Sequence, residues 1–249
     1  MKHVLLLMLS ASLMLGSCSK NEEVTDSTPK TTECKIASIK TKSLTSDGMR
    51  DSSVWQTESY SYDDKGRLSK IHTVSTEFIA DHLYEYQADK IIVDGKEKFS
   101  LDAQGRISGM IEPYTGNPIT FTYNAEGYLS EMNMPKSGNT ASFTYTDGNL
   151  TKVVKGSTTF NISYTNEPLK NDLLYGYIFK NVFSMYDFSP SLVSQFLGKA
   201  SKNSISKIEV SPKSQFISDV EFTYNKDADG NVTSFKAGNM GYDLTYNCQ

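Results

Sequence analysis

Apolar side chains two residues apart, most of them aromatic, recur along the chain, each pair leading into a polar stretch that ends in glycine and then into an aliphatic residue. Phe121-Thr-Tyr123-Asn124 passes through Gly127-Tyr128 to Leu129 and Met132, and Phe143-Thr-Tyr145-Thr146 passes through Asp147-Gly148-Asn149 to Leu150 and Val153. Tyr60/Tyr62, Phe99/Leu101 and Phe222/Tyr224 open the same skeleton, closed by Gly66-Arg67-Leu68, Gly105-Arg106-Ile107 and Gly230-Asn231-Val232. Degenerate copies lie at Tyr84/Tyr86, at Phe160, Ile162 and Tyr164, and at Tyr242, Leu244 and Tyr246. Side chains two apart share one face of a strand, Asx side chains start turns, and glycine supplies the positive φ that closes them. Each copy therefore predicts a β-hairpin. The aliphatic positions after each glycine are three apart (Leu68 and Ile71, Leu129 and Met132, Leu150 and Val153), which breaks strict alternation. Returning strands are expected to begin with a bulge or a twist.

Short links favour pairing of consecutive strands. The expected fold is mainly β: an antiparallel meander of repeated hairpins, curved or closed into a barrel-like sheet, forming a single domain over residues 34–249. Tyr62, Tyr86, Tyr123, Tyr145 and Tyr224 should share one largely buried face. The long gap between Tyr164 and Phe222 predicts a short helical insertion near 170–200. Ser189 suits a cap, Pro190 the first turn, Leu192, Val193, Phe196 and Leu197 one apolar face, and Gly198 the end. A second helix is expected from about Leu173 to Tyr186. Their aromatic content favours a plug that fills the concave face over a lid on a ligand site.

The amino-terminal stretch has a different pattern: Lys2, an apolar run from Val4 to Leu15 broken by Ser10 and Ser12, then Gly16-Ser17-Cys18. A bilayer core needs about 20 apolar residues in a helix, so this run reads as a secretory signal over 1–17 rather than a span. Leu15-Gly16-Ser17-Cys18 resembles the bacterial lipobox, which implies lipidation of Cys18 and attachment to a membrane through several acyl chains; a single chain gives only marginal binding. Ser19 where an inner-membrane signal would carry Asp, followed by Lys20-Asn21-Glu22-Glu23, resembles the tether of surface-displayed Bacteroidetes lipoproteins. Residues 18–33 are polar and read as a flexible tether. Within them Asp26-Ser27-Thr28 is similar to a Bacteroidetes O-glycosylation sequon.

Composition adds exclusions. The formal net charge is −4 over 249 residues and no Lys/Arg stripe is present, which argues against nucleic acid and against electrostatic attachment to anionic lipid. With Cys18 lipidated, Cys34 and Cys248 remain; a bridge between them would place the first and last strands side by side, the alternative being two small buried thiols in separate places. His72 and His82 fall in predicted strands with no nucleophile motif beside them, so no catalytic residue is assigned. Asn225, Asp227, Asp229 and Gly230 sit at the oxygen-ligand and glycine positions of a calcium loop, but Lys236 stands where the bidentate Glu belongs. That segment is more economically an enlarged repeat turn, and neither metal nor cofactor is assigned.

The hairpin skeleton resembles the YD repeat of Rhs-type proteins, and the layout of lipobox followed by one repeat domain resembles a family of Bacteroidales lipoproteins. That resemblance implies a barrel-like antiparallel sheet and brings no catalytic residues. The function expected first is a non-enzymatic outer-membrane lipoprotein, surface-facing or otherwise periplasmic, presenting a sheet surface or concavity to a glycan, a peptide or an envelope protein. A carrier of an apolar ligand inside a barrel or half-barrel is the alternative, and a glycan-active hydrolase the second.

Overall fold

The computed structural model describes residues 34–44, 51–112, 116–135, 139–168, 176, 192, 195–213 and 218–248, all within the compact unit Glu33–Gln249. Sixteen strands follow one another: β1 Cys34–Leu44, β2 Asp51–Tyr62, β3 Leu68–Ser75, β4 Ile79–Tyr86, β5 Lys90–Val93, β6 Lys96–Leu101, β7 Ile107–Ile111 and β8 Pro118–Tyr123. The second half comprises β9 Leu129–Met134, β10 Asn139–Thr146, β11 Asn149–Lys155, β12 Thr158–Pro168, β13 Asn203–Ser211, β14 Val220–Lys226, β15 Val232–Ala237 and β16 Met240–Cys248. Every strand pairs antiparallel with its neighbours in sequence, and β1 pairs with β16, so the expected meander closes into a barrel. The seam runs from Cys34 opposite Cys248 to Ser43 opposite Met240, with one irregularity between Ile36 and Ser38.

Alternation decides which side of the wall is dry. All sixteen strands contribute to one buried apolar cluster, with the first aromatic of the repeats (Tyr60, Tyr84, Phe99, Phe121, Phe143, Phe160 and Phe222) inside it. Leu68, Ile91, Phe99, Ile107, Leu129, Met132 and Leu150 are fully buried. Along β8 to β12 the outward positions between them are polar: Thr122, Glu131, Thr144, Lys152, Asn161 and Ser163 are exposed. A membrane-spanning barrel has an apolar belt outside and a polar lumen; this wall is the inverse. Among the described residues no helix is long and apolar enough to cross a membrane.

A barrel of eight strands is filled by its own side chains, whereas sixteen commonly enclose a channel. Here the connection between β12 and β13 contributes to the core, since Leu192 and Leu197 belong to the same cluster. Gly176, Leu192, Gln195 and Phe196 are helical. The rest of the expected helices, about Leu173–Tyr186 and Ser189–Leu197, lies outside the described residues.

The expected bulge is present in five hairpins. The register skips Ser69, Ser108, Ser130, Thr151 and Thr233, each the residue after the first aliphatic position. In each case the skipped residue is Ser or Thr, and hydroxyls bond back across the pair: Ser130 Oγ donates to the Thr122 carbonyl at 2.9 Å and Thr151 Oγ1 to that of Thr144 at 3.3 Å. The last of these hairpins corrects the sequence reading. Lys226 pairs with Val232 as Tyr62 pairs with Leu68, so the turn from Asp227 to Val232 has the ordinary length and the strand before it is what is extended. Asp227 Oδ1 accepts the Asn231 amide at 2.8 Å and Oδ2 its side-chain amide at 3.0 Å, as a turn-forming residue does.

Candidate functional site

The start of β1, the end of β16 and the turns after even-numbered strands share one rim, built by a repeated latch. Tyr62, Tyr86, Tyr123, Tyr164 and Tyr246 donate their hydroxyls to the carbonyls of Ile36, Leu68, Ile107, Leu150 and Val232 at 2.6–2.7 Å. Each accepting carbonyl lies two residues before the first ladder pair with the strand that carries the tyrosine, for example Leu68 before Lys70 opposite Leu83. The phenol thus continues the ladder where backbone pairing stops. The five tyrosines expected to share a buried face are half-buried and packed on the core. Burial holds the hydroxyls of Tyr86, Tyr123 and Tyr224 above their ordinary range.

Above the latches lies a second layer. Asp63 Oδ1 accepts the Lys65 and Arg67 amides and its Oδ2 accepts Arg67 Nε at 2.8 Å, and Asp102 repeats the arrangement with Gln104 and Arg106. The two guanidinium groups rest over Tyr86 and Tyr123, with Cζ 4.3 and 4.1 Å from the ring centroids. The β12–β13 connection crosses this layer. Gln195 Nε2 donates to the Gly66 carbonyl at 3.0 Å, Phe196 stacks on Tyr86 at 5.3 Å, and the amides of Lys199 and Lys202 donate to Gly127 and Gly148. Those contacts span turns from β2–β3 to β10–β11, so this part of the connection covers the rim.

Cys34 is bonded to Cys248 at the same rim. The pair sits at the outer end of the seam rather than within the core, Cys34 half-buried and Cys248 exposed. Cys18 lies outside the described residues.

The opposite rim is chemically different. Thr41, Gln56 and Thr73 are buried on the inner face of β1 to β3, and Glu58 between them accepts Gln56 Nε2 at 2.8 Å and the Tyr60 hydroxyl at 2.7 Å. Burial first, and then the Glu58 charge, push the Tyr60 hydroxyl well above its ordinary range. The histidines lie close by: His72 Nδ1 meets Asp81 at 2.6 Å and His82 Nδ1 meets Asp94 at 2.8 Å. No described hydroxyl or thiol is bonded to either ring. The aspartate partners were invisible in the sequence reading, although Asp94-Gly95 between Val93 and Lys96 is a two-residue turn signal that could have found one of them. On the outer wall, an open furrow of about 410 Å³ crosses β6 to β8, with Gly109 between Ser100 and Thr120 and with Ile111 and Pro118 to one side. Among the described residues no His, Cys, Asp and Glu cluster could hold a metal ion.

Residues 98–234, more than half of the chain, match the family described as a domain of unknown function (DUF4595) with porin-like fold. The chain belongs to this family. Among solved structures, a porin-like protein from Bacteroides uniformis is similar over 85% of this chain and 98% of its own, with a TM-score of 0.58 and 13% identity. At that identity the likeness speaks for the fold alone. No curated protein matches the chain. The porin-like description and the closed antiparallel meander agree, and the polarity of the wall sets this member of the family apart from a barrel that faces lipid.

Proposed function

We propose that the protein is a non-enzymatic lipoprotein of the outer membrane, held by acyl chains on Cys18 and presenting a closed, YD-like β-barrel to a glycan, peptide or protein partner outside the bilayer. The observation that carries this reading is the polarity of the wall. Apolar side chains from all sixteen strands point inward into one core, and among the described residues the exposed large apolar side chains are six, five of them on β2 to β4 and the turn between β3 and β4, which is no continuous belt with which to enter lipid. Attachment then falls to the lipidated segment before Cys34. Fully buried side chains such as Phe99 and Leu129 support a filled barrel over a carrier. Among the described residues no hydroxyl or thiol is bonded to either ring of the His–Asp pairs, which supports binding over hydrolysis.

The test is metabolic labelling with an alkyne fatty acid in the native host or a related one. Label should enter the wild-type chain and not Cys18→Ala, and external protease should remove the barrel from intact cells. An unlabelled wild-type chain, or a barrel expressed from residue 34 behind a cleavable signal that stays in the membrane fraction after alkaline extraction, would overturn the reading.

A further inference from the structure

Five of the six large apolar side chains exposed among the described residues lie on β2 to β4 and the turn between β3 and β4: Val54, Val74, Phe78, Ile79 and Leu83, with Ile79 71% and Leu83 53% exposed. The same place carries an open strand edge. β4 pairs with β5 only through Tyr84, Glu85 and Tyr86, whereas its pairing with β3 continues back to Ile79. Hydrogen-bonding directions follow from the hairpin: the Ser75 amide donates to the Phe78 carbonyl, so Ala80 and His82 bond to β3, and Ile79, Asp81 and Leu83 direct their backbone groups the other way. Leu83 is satisfied there, its amide by Asp94 Oδ1 at 2.8 Å and its carbonyl by the Asp94 amide at 3.0 Å. Ile79 and Asp81 lie beyond the end of β5, with two N–H and two C=O groups facing outward and no described strand beside them.

We propose that this edge pairs with the same edge of a second copy of the chain. An antiparallel match centred on Ala80 sets Ile79 opposite the partner's Asp81 and Asp81 opposite the partner's Ile79. Both are hydrogen-bonded pairs, so four bonds form and all eight open groups of the two copies are used. Ala80 faces its own copy across the two-fold, and its small side chain permits close approach. On the outer face Ile79 becomes the diagonal neighbour of the partner's Leu83, which covers the two most exposed apolar side chains of β4. An isologous contact of this kind closes at two copies. It extends the sheet of one barrel into the next and depends on neither the lipid nor the furrow, so it goes beyond the function proposed above.

The test uses the full chain carrying Cys18→Ser together with Ala80→Cys, in which Cys34 and Cys248 are already bonded to each other and the new thiol is the one left free. Cα atoms in such a non-hydrogen-bonded antiparallel pair are about 4.5 Å apart, so the new thiol should give a reducible dimer as the main species on non-reducing electrophoresis. Thr223→Cys, exposed on the distant outer face of β14, should remain monomeric. Ile79→Lys should weaken the wild-type dimer roughly tenfold or more in sedimentation equilibrium, with an unchanged circular dichroism spectrum showing that the barrel is intact. A wild-type chain that stays monomeric at about 100 μM, or Ala80→Cys linked to a different protein instead of itself, overturns the proposal; neither result bears on the lipid attachment.

Discussion

At the scale of single residues, the latch tyrosines and the turn aspartates do separate jobs that substitution can separate. Tyr123→Phe keeps the ring under Arg106 but leaves the Ile107 carbonyl, bonded at 2.6 Å in the native chain, without its donor. An unsatisfied half-buried carbonyl costs about 1–2 kcal/mol, which in a domain of this size lowers the melting temperature by roughly 2–8 °C; a thermal melt followed by circular dichroism measures it. The aspartates act through pH. Burial alone would raise the carboxyls of Asp63 and Asp102, but the bonds from Arg67 and Arg106 and from turn amides outweigh it and hold both below the ordinary carboxylate range. With the folded value below the unfolded one, as pH falls the unfolded chain takes up protons first. Their contribution is present above about pH 4 and is lost as pH falls through the folded values. Asp63→Asn with Asp102→Asn should therefore reduce stability at neutral pH and flatten its decline between about pH 5 and pH 2 in urea titrations. Parallel pH profiles for variant and wild type would show that these carboxylates carry no linkage.

At the scale of elements, Gly198 fastens the β12–β13 connection to the rim. Its φ is +77°, and an added Cβ would lie 2.5 Å from the Gly127 carbonyl oxygen and 3.0 Å from the Tyr123 ring. Gly198→Ala should therefore cost about 1–3 kcal/mol and lift the crossing segment. Hydrogen exchange should quicken at the Lys199 and Lys202 amides, which bond Gly127 and Gly148, while β10 and β11 keep their protection. This element shows where sequence reading reaches and where it stops. The hairpins were legible because Asx, Gly and aromatic spacing are local signals, and the three-residue spacing of Leu129 and Met132 announced the bulge at Ser130. Gly198 was legible as a helix end, but its contact with Gly127 joins residues 71 positions apart and leaves no periodic trace. The same limit hid the edge at Ile79. Its exposure follows from β5 being only four residues long, a length that no periodic signal in the sequence states.

At the scale of the whole molecule, closure rests on two devices at the seam, and they respond differently to reduction. The Cys34–Cys248 bond spans 214 residues, and constraining so long a loop in the unfolded chain contributes about 5 kcal/mol in the entropy model. The β1–β16 ladder, from Cys34 to Ser43, lies beside it and buries Ile36, Ile39 and Leu244 from within. The disulfide acts on the unfolded chain and the ladder on the folded one, so removing the first should lower stability without opening the barrel. Cys248→Ser is expected to fall markedly in melting temperature and yet to keep the native circular dichroism spectrum at 25 °C. It should bind no more of a hydrophobic dye than wild type, because Ile39 and Leu244 stay covered. Non-reducing mass spectrometry of the wild-type chain should find both thiols blocked. Dye binding that rises on reduction at 25 °C would show instead that the ladder cannot hold the seam alone, and that the barrel is closed by its covalent bond.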